Sequence, residues 1–474
     1  MSPASTRNVP SNDKFQLTDS DLEGCLVEIF KRFRCPVGVT VDEYQQRGKS
    51  ASGNIVYIVK RKQTTVTPAT LHTVSIVMEH TQKEPKHIYL AMKAVYDVQH
   101  HLVELMITNS QEVMVPRMII QVLSNIIANY PLLTKFEIKN CYIDHNIVHD
   151  FKSMLLYSAI TDVCLDDCKL NNANYEVILK APTIVKNLSL CRCNISDPEC
   201  KEIAAMLRYT ELAENHLVTL NLTSNKIGDE GAKYLADALR TNRHLRYLNL
   251  ADNVIGDEGA ICIFRHLLEF PLTHDENVER RRRYILYLKK KQEIYAECIN
   301  KLNTTTLTTN ILKREKSKRK LMSHTTLSSR EGSYQSHNRH KTVVKKIKHV
   351  TQDNTWQNIK AEMMAKDILG PFEDPFGTTS FKIIDDYPFC IGNLTLSYLN
   401  LAYNNLTYQS LKILLNVVEH QMIYSTQKLC GLMKVILDGN PLPVKCEELS
   451  TIQQILKEHV NSITNKLKNR TADD

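Results

Sequence analysis

The fold of this chain is decided by two neighbouring stretches of sequence that are nearly the same. Residues 217–232 read LVTLNLTSNKIGDEGA, and residues 245–260 read LRYLNLADNVIGDEGA. Both place leucine at the first, fourth and sixth positions, asparagine at the ninth and isoleucine at the eleventh, and the offset between them is 28 residues. A fixed period of this length indicates a stack of similar structural units.

Each position of the pattern L-x-x-L-x-L-x-x-N/C-x-L has a physical reason. The spaced apolar residues lie on one face of a short strand and point into the stack. The asparagine or cysteine turns inward where the chain bends, and it bonds backbone groups that would otherwise be buried unpaired. Apolar residues at Ala232, Leu235, Ala236 and Leu239 then have the spacing of one helix face. The unit is therefore predicted to be a strand, a turn and a helix.

This unit resembles the ribonuclease-inhibitor class of leucine-rich repeats. The resemblance implies an α/β solenoid, or horseshoe, with a parallel sheet on the concave side and helices on the convex side. The same frame recurs upstream and downstream, and a weaker turn begins at Leu102. The inward Asn/Cys positions, which we call the structural ladder, are predicted at Cys141, Cys168, Cys193, Asn225, Asn253, Asn404 and Asn440.

For some of these cysteines, the spacing in the sequence would also allow a metal site. Cys164 with Cys168, and Cys191 with Cys193, have separations that metal ligands can also have. Because Cys141, Cys168 and Cys193 coincide with the inward position of the repeat, we expect buried structural thiols and no metal. Cys164 and Cys191 are expected on the concave surface, where reactivity is left open.

Positive charge is concentrated in one segment of the chain. The net charge is +8, but residues 275–350 contain 20 Lys and Arg against 7 Asp and Glu, so the remainder is about −5. This segment separates the Asn253 repeat from the Asn404 repeat and leaves an insertion of roughly 120 residues. Closing so long a connection costs only ~3 kcal/mol of chain entropy more than closing a short one, so restacking of the repeats across it is expected.

The sequence predicts five regions. Residues 1–100 form an α/β cap, with a capping box at Ser20–Glu23 and strand-like runs at Asn54–Lys60 and Leu71–Glu79; an independent binding module is the alternative. Residues 101–270 and 393–445 are two blocks of repeats. Residues 271–392 are the basic insertion, with a long helix over Glu276–Leu302 followed by a partly disordered linker. Residues 446–474 form a closing helix and tail.

The segment after the repeats gives a more specific resemblance. Residues 270–282 read FPLTHDENVERRR, and they resemble the start of the charged insertion in the leucine-rich repeat-containing protein 71 family. The similarity is closest over Leu217–Arg283. It implies a cytoplasmic protein of motile cilia and flagella, within the axoneme, and no catalytic residues. The repeats also resemble, more distantly, dynein-regulatory leucine-rich-repeat subunits and Ran GTPase activators.

No pattern of catalytic residues is found in the sequence. There is no Walker loop, no Gly-x-Ser-x-Gly and no His-Glu-x-x-His. Residues 1–20 are polar and do not predict a secretory signal, and the apolar run Val113–Leu133 contains Arg117. We therefore expect a non-catalytic scaffold that binds other proteins, with no cofactor, metal, small-molecule substrate or membrane, and nucleic acid is not favoured. A regulator of a small GTPase or of dynein is the alternative.

Two interaction surfaces are predicted. Residues between the inward leucines should face out from the concave sheet, and Tyr247 and Tyr398 are either contact anchors or partners that only pack on each other. The concave-face set is Asn221, Thr223, Tyr247, Asn249, Tyr398 and Asn400. The second surface is a basic tether for acidic axonemal partners, with tubulin's acidic tails as the candidate by analogy. A merely solvated surface, nucleic-acid binding and a nuclear-import signal are the alternatives. The tether set is Arg280, Arg281, Arg282, Arg283, Lys289, Lys290 and Lys291.

Overall fold

The structure is a computed structural model. It describes residues 22, 26, 38–49, 56–66, 89–108, 114–170, 174–180, 183–322, 356–377, 380–424, 430–443 and 446–470. Two compact units are distinguished: the repeat unit, Met1–Phe270 with Ile391–Asp474, and the inserted unit, Pro271–Cys390.

The repeat unit is built on one sheet, which contains eleven strands among the described residues. The strands of successive repeats pair in parallel and in register, so that Leu220 lies beside Leu248 and Leu248 beside Leu399. These leucines are fully buried, and each such side chain contributes roughly 1.5–3 kcal/mol relative to an exposed one. The repeat strands are Leu102–Thr108, Lys135–Lys139, Asp162–Cys164, Asn187–Ser189, Thr219–Asn221, Tyr247–Asn249, Tyr398–Asn400 and Lys434–Ile436.

Helices follow the strands, as the apolar spacing predicts. Their buried residues include Leu235 and Leu239 in one repeat and Ile263 and Phe264 in the next. The predicted leucine-rich-repeat fold class is confirmed. The helices of this unit are Arg117–Ile126, His145–Leu156, Glu176–Leu179, Asp197–Met206, Asp229–Thr241, Asp257–Leu267, Tyr408–Tyr424 and Glu447–Arg470, with 3-10 turns at Ile127–Asn129 and Leu212–Asn215 and a small strand pair at Tyr142–Ile143 and Lys169–Leu170.

The repeated Gly-Asp-Glu-Gly motif has a structural role that the sequence patterns did not reveal. Asp229 Oδ1 accepts hydrogen bonds from the backbone N–H groups of Gly256 at 2.7 Å and Gly259 at 2.9 Å, both in the following repeat. A Cβ on Gly259 would lie 2.7 Å from that same oxygen, so glycine makes room for the carboxylate. Asp197 and Asp257 act in the same way on their own following repeats. Each aspartate therefore links two helix N-termini, where negative charge is favourable.

The first part of the sheet differs from the sequence prediction. Gly38–Lys49 is a strand that was not predicted; it pairs antiparallel with Val56–Val66 and parallel with Tyr89–Tyr96. Its residues are largely polar at alternate positions, so hydrophobicity alone gives a weak signal. The run predicted at Asn54–Lys60 overlaps the second of these strands. The capping box and the run at Leu71–Glu79 lie outside the described residues, although Leu22 and Leu26 are described and buried.

The inserted unit contains a helix at His274–Met322, a helix over 356–369, and an antiparallel hairpin of Phe381–Ile384 with Tyr387–Cys390. A two-residue strand, Phe270–Pro271, lies at its boundary. The predicted end of the first helix near Leu302 is wrong, because the helix continues through the following threonines. The hydroxyls of Thr304 and Thr305 each donate to the carbonyl of Lys301, one turn earlier in the helix. Threonine can make this bond inside a helix, and the prediction of a linker did not take it into account.

Candidate protein-binding surface

The asparagines of the structural ladder hold the strands in register. Asn225 Oδ1 accepts from the N–H groups of Cys193 and Ile195, both at 3.0 Å, while Nδ2 donates to the carbonyls of Leu190 and Leu222, both at 2.9 Å. One buried amide therefore satisfies four backbone groups of two repeats. The same pattern recurs at Asn253, Asn404 and Asn440.

The cysteines of the structural ladder make fewer hydrogen bonds to the neighbouring repeat than the asparagines do. The thiol of Cys168 donates to the carbonyl of Ile138 at 3.2 Å, and that of Cys193 to Leu165 at 3.0 Å, each in the preceding repeat. Cys141 bonds locally, to Lys139. Burial raises the pKa of Cys193 to about 12, so its thiol stays protonated. Among the described residues, no three His, Cys, Asp or Glu side chains are grouped as a metal site.

Side chains that alternate with the buried leucines form the open face of the sheet. In its N-terminal half these groups are charged and bond one another. Lys135 forms ion pairs with Glu104 at 3.3 Å and with Glu137 at 3.1 Å. Arg192 forms a bidentate ion pair with Asp167. Little hydrogen-bonding capacity is therefore left for a partner in this half.

Cys164 and Cys191 also belong to this half, and they are less accessible than the sequence suggested. Each is 8% exposed. Desolvation raises the pKa of Cys164 to about 12. Burial likewise raises the pKa of Cys191. The expectation of a surface position is corrected, because Asp166 bridges to Ser189 and to the Cys191 N–H and so covers this part of the strands.

The C-terminal half of the open face has a different chemistry. The rings of Tyr247 and Tyr398 are 5.7 Å apart at an angle of 36°, and Lys434 Nζ lies 5.8 Å from the Tyr398 ring. Tyr247 nevertheless remains 46% exposed. The two alternatives posed for these tyrosines are thus compatible, because the two rings pack on each other and Tyr247 still leaves nearly half of its surface to solvent.

Two asparagines beside the tyrosines have side-chain donors that no described residue accepts. Asn249 Oδ1 accepts from the Ala251 N–H at 3.2 Å, and Asn400 Oδ1 accepts from the Ala402 N–H at 3.0 Å. Within the described part of the chain, their side-chain N–H groups meet no protein acceptor. Asn221 differs, since it donates to Ser189 Oγ at 2.9 Å and accepts from Thr223. The predicted concave-face residues therefore divide into groups that are already bonded and groups that are available to a partner.

The basic tether does not form one surface. Arg283 Nε donates to Asp374 Oδ2 at 2.6 Å, and the side chain of Asp374 is fully buried. The Arg280 guanidinium lies 3.7 Å from the Phe381 ring centre, and its Nε donates to the carbonyl of Phe376 at 2.7 Å. These two arginines hold the inserted unit together. Their partners lie more than ninety residues further along the chain.

The remaining tether cations are on the outside of the helix. Arg281, Arg282, Lys289 and Lys290 are exposed, whereas Lys291 lies 3.8 Å from Glu362. Arg282 has a surface contact with Glu279 at 3.3 Å. A shallow depression among these cations is lined by the exposed aliphatic side chains Val278, Ile285 and Leu286.

Comparisons with known proteins identify the repeats. The family model described as Leucine Rich repeat matches residues 214–236, 241–264 and 392–412. A Bos taurus protein, NACHT, LRR and PYD domains-containing protein 5, is 27% identical over 106 residues. That stretch covers 22% of this chain and 9% of the relative. The chain therefore contains leucine-rich repeats, a type of repeat that typically forms non-catalytic binding scaffolds, and the finer resemblance of residues 270–282 stays a hypothesis.

None of the described helices combines the length and the apolar character needed to span a membrane.

Proposed function

We propose that this chain is a non-catalytic scaffold that binds another protein on the C-terminal half of its open face. The observation that carries the proposal is the group formed by Tyr247, Tyr398, Asn249 and Asn400. It combines exposed aromatic surface with amide donors that have no protein acceptor among the described residues. Such anchors suit protein recognition because they offer contact area with few rotatable bonds.

The strands that carry these residues favour tight recognition. The two tyrosines come from adjacent paired strands, and each strand is held by ladder asparagines. Because these residues lie on paired strands, binding orders less backbone than it would on a mobile loop. The N-terminal half of the face is the weaker candidate, since its charges already satisfy one another.

The proposed setting is the axoneme of motile cilia and flagella. The resemblance of residues 270–282 supports this setting. The exposed cations Arg281, Arg282, Lys289 and Lys290 are compatible with an acidic partner there, and tubulin's acidic tails fit that chemistry. The tether would raise the local concentration of the scaffold, and the open face would select its partner.

Proximity labelling in ciliated cells tests this function. The wild-type chain should label axonemal proteins, and the double variant Tyr247→Ala/Tyr398→Ala should lose a defined subset of them. Tyr157→Ala is the matched control, because Tyr157 is 77% exposed at the end of a helix of the repeat unit. Labelling that is unchanged in the double variant, or neighbours that lie outside cilia, would contradict the proposal.

A further inference from the structure

The last strand of the repeats, Lys434–Ile436, has a paired neighbour on only one side within the described residues. In each preceding repeat, the leucine that follows the strand donates its backbone N–H to the next strand. These bonds join Leu222 to Asn249 at 2.8 Å, Leu250 to Asn400 at 2.8 Å, and Leu401 to Ile436 at 2.9 Å. Leu437 is the next member of this series.

A second series runs two residues further on. Ser224 donates to Ala251 at 2.8 Å, Asp252 to Ala402 at 2.8 Å, and Tyr403 to Asp438 at 2.7 Å. Gly439 is the next member. Across the part of the chain that the structure describes, no carbonyl accepts from the N–H of Leu437 or Gly439. Among the described residues, the sheet therefore ends with two donors at the spacing that a further parallel strand would use.

A groove runs along this edge. One wall is the strand with Val435 and Leu437, and the other is the helix Glu447–Arg470 with Leu449 and Leu456. Leu442 and Ile452 also line it. An added strand would place alternate side chains against the aliphatic residues of this groove, whose lining also includes Asn440 and Gln453.

The charges at this edge limit which strand would fit. Lys434 and Asp438 are exposed and lie on the open face, four residues apart. A neighbour in parallel register would place one residue beside Lys434 and another beside Asp438. Opposite charges at directly facing positions of paired strands are favourable, and like charges are unfavourable.

We propose that this edge, Lys434–Gly439, is a protein-binding site that takes an extended segment of another protein as a further parallel strand. Five successive residues of this segment are, in order, an acidic residue, an apolar residue, any residue, an apolar residue and a basic residue. Its carbonyls accept from Leu437 and Gly439, its apolar residues enter the groove, and its charged residues pair with Lys434 and Asp438. This site does not depend on binding at the tyrosine-containing open face.

Two capped, fluorescent peptides test the proposal on the full chain. One has the core Glu-Val-Thr-Leu-Lys and the other the reversed charges, Lys-Val-Thr-Leu-Glu, within identical flanks. The first should bind about tenfold more tightly, since two exposed charge pairs contribute roughly threefold each. The chain carrying Lys434→Glu and Asp438→Lys should show the opposite preference. Both side chains are exposed, so this variant keeps the fold and the net charge.

Hydrogen exchange locates the binding. The preferred peptide should slow exchange at Leu437 and Gly439. Equal affinities for the two peptides, a preference that does not reverse in the variant, or absence of both binding and protection would overturn the proposal. Protection of these amides that grows with chain concentration in the absence of peptide would also overturn it, because the occupant would then be a second copy.

Discussion

Asn404 Oδ1 accepts a hydrogen bond from the backbone N–H of Ile255 at 3.1 Å, although 149 residues separate the two. Asn404 Nδ2 donates to the carbonyl of Leu250 at 2.9 Å. The insertion leaves the stack between these residues, and the ladder continues across the gap with the same geometry as within an uninterrupted block. Nearby, the Asn393 N–H donates to the carbonyl of His266 at 3.0 Å, so the chain returns close to where it departed.

Replacing this ladder residue should destabilise the repeats. Asn404→Leu leaves the N–H of Ile255 and the carbonyl of Leu250 buried without partners, and we expect a loss of about 1–3 kcal/mol in the free energy of unfolding. Asn225→Leu should cost a similar amount within the continuous block. Chemical denaturation measures both.

The matched control is Asn405→Leu, because Asn405 is exposed and its side chain takes no part in the ladder. Its stability should stay within about 0.5 kcal/mol of the wild type. If Asn404→Leu is as mild as this control, the register across the insertion is wrong.

A second stability prediction concerns Gly259. Alanine normally favours a helix over glycine by about 1 kcal/mol. At Gly259 the added Cβ would lie 2.7 Å from Asp229 Oδ1 and 2.8 Å from Ala232 Cβ, so we expect Gly259→Ala to destabilise by about 1–3 kcal/mol. Glu258→Ala, at an exposed position of the same helix, is the control and should be near neutral. Increased stability of Gly259→Ala in thermal or denaturant unfolding would contradict the packing described here.

The leucines and the structural ladder could be predicted because one local period fixes both. Asn225 and Asn253 occupy the same position in two nearly identical stretches of sequence. Their backbone hydrogen-bond partners follow from the register of the repeats. The role of Asp229 was missed because its partners, Gly256 and Gly259, lie in the next repeat. The recurrence of Gly-Asp-Glu-Gly was the available signal.

The candidate site was harder to predict than the fold. Alternation along the strands suggested which side chains face away from the core, but it did not show that Cys164 is buried. Nor did it show that Asn221 is already bonded, whereas the Asn249 amide N–H groups meet no acceptor among the described residues. Four consecutive arginines also look equivalent in sequence. Arg283 is distinguished by Asp374, 91 residues away, and no local pattern encodes such a contact.

Thiol chemistry gives a third prediction. Desolvation raises the pKa of Cys164 to about 12, so at pH 8 this thiol is almost entirely protonated. Cys164 should therefore react with a maleimide far more slowly than an unfolded cysteine. Cys430, which is half-buried, provides the comparison within the same chain.

The sign of the pH dependence follows from the same shift. The thiol is favoured in the folded state, so this contribution to stability is present below the ordinary thiol pKa and is lost as the pH rises toward 12. Labelling of Cys164 should accelerate with pH over this range. Mass-spectrometric peptide mapping gives the rate at each thiol, and fast labelling of Cys164 at pH 7 in the folded chain would be inconsistent with its burial.

The last prediction separates the structural arginines from the exposed cations of the inserted unit. Arg283→Gln leaves Asp374 buried without its charged partner, and we expect it to destabilise this unit by about 3 kcal/mol. The triple variant Arg281→Gln/Arg282→Gln/Lys289→Gln removes exposed charge and should leave unfolding nearly unchanged. If the tether binds acidic tubulin tails, however, the triple variant should lose most of its microtubule binding.

Cosedimentation with intact and tail-cleaved microtubules measures this difference. Wild-type binding should fall steeply between about 0.1 M and 1 M salt, because the Debye length falls from ~10 Å to ~3 Å. Lys201→Gln, at an exposed position of the repeat unit, controls for the loss of a positive charge elsewhere. Equal pelleting of the wild type and the triple variant would contradict the tether. So would equal pelleting with intact and cleaved microtubules, because the cations would then be a merely solvated surface.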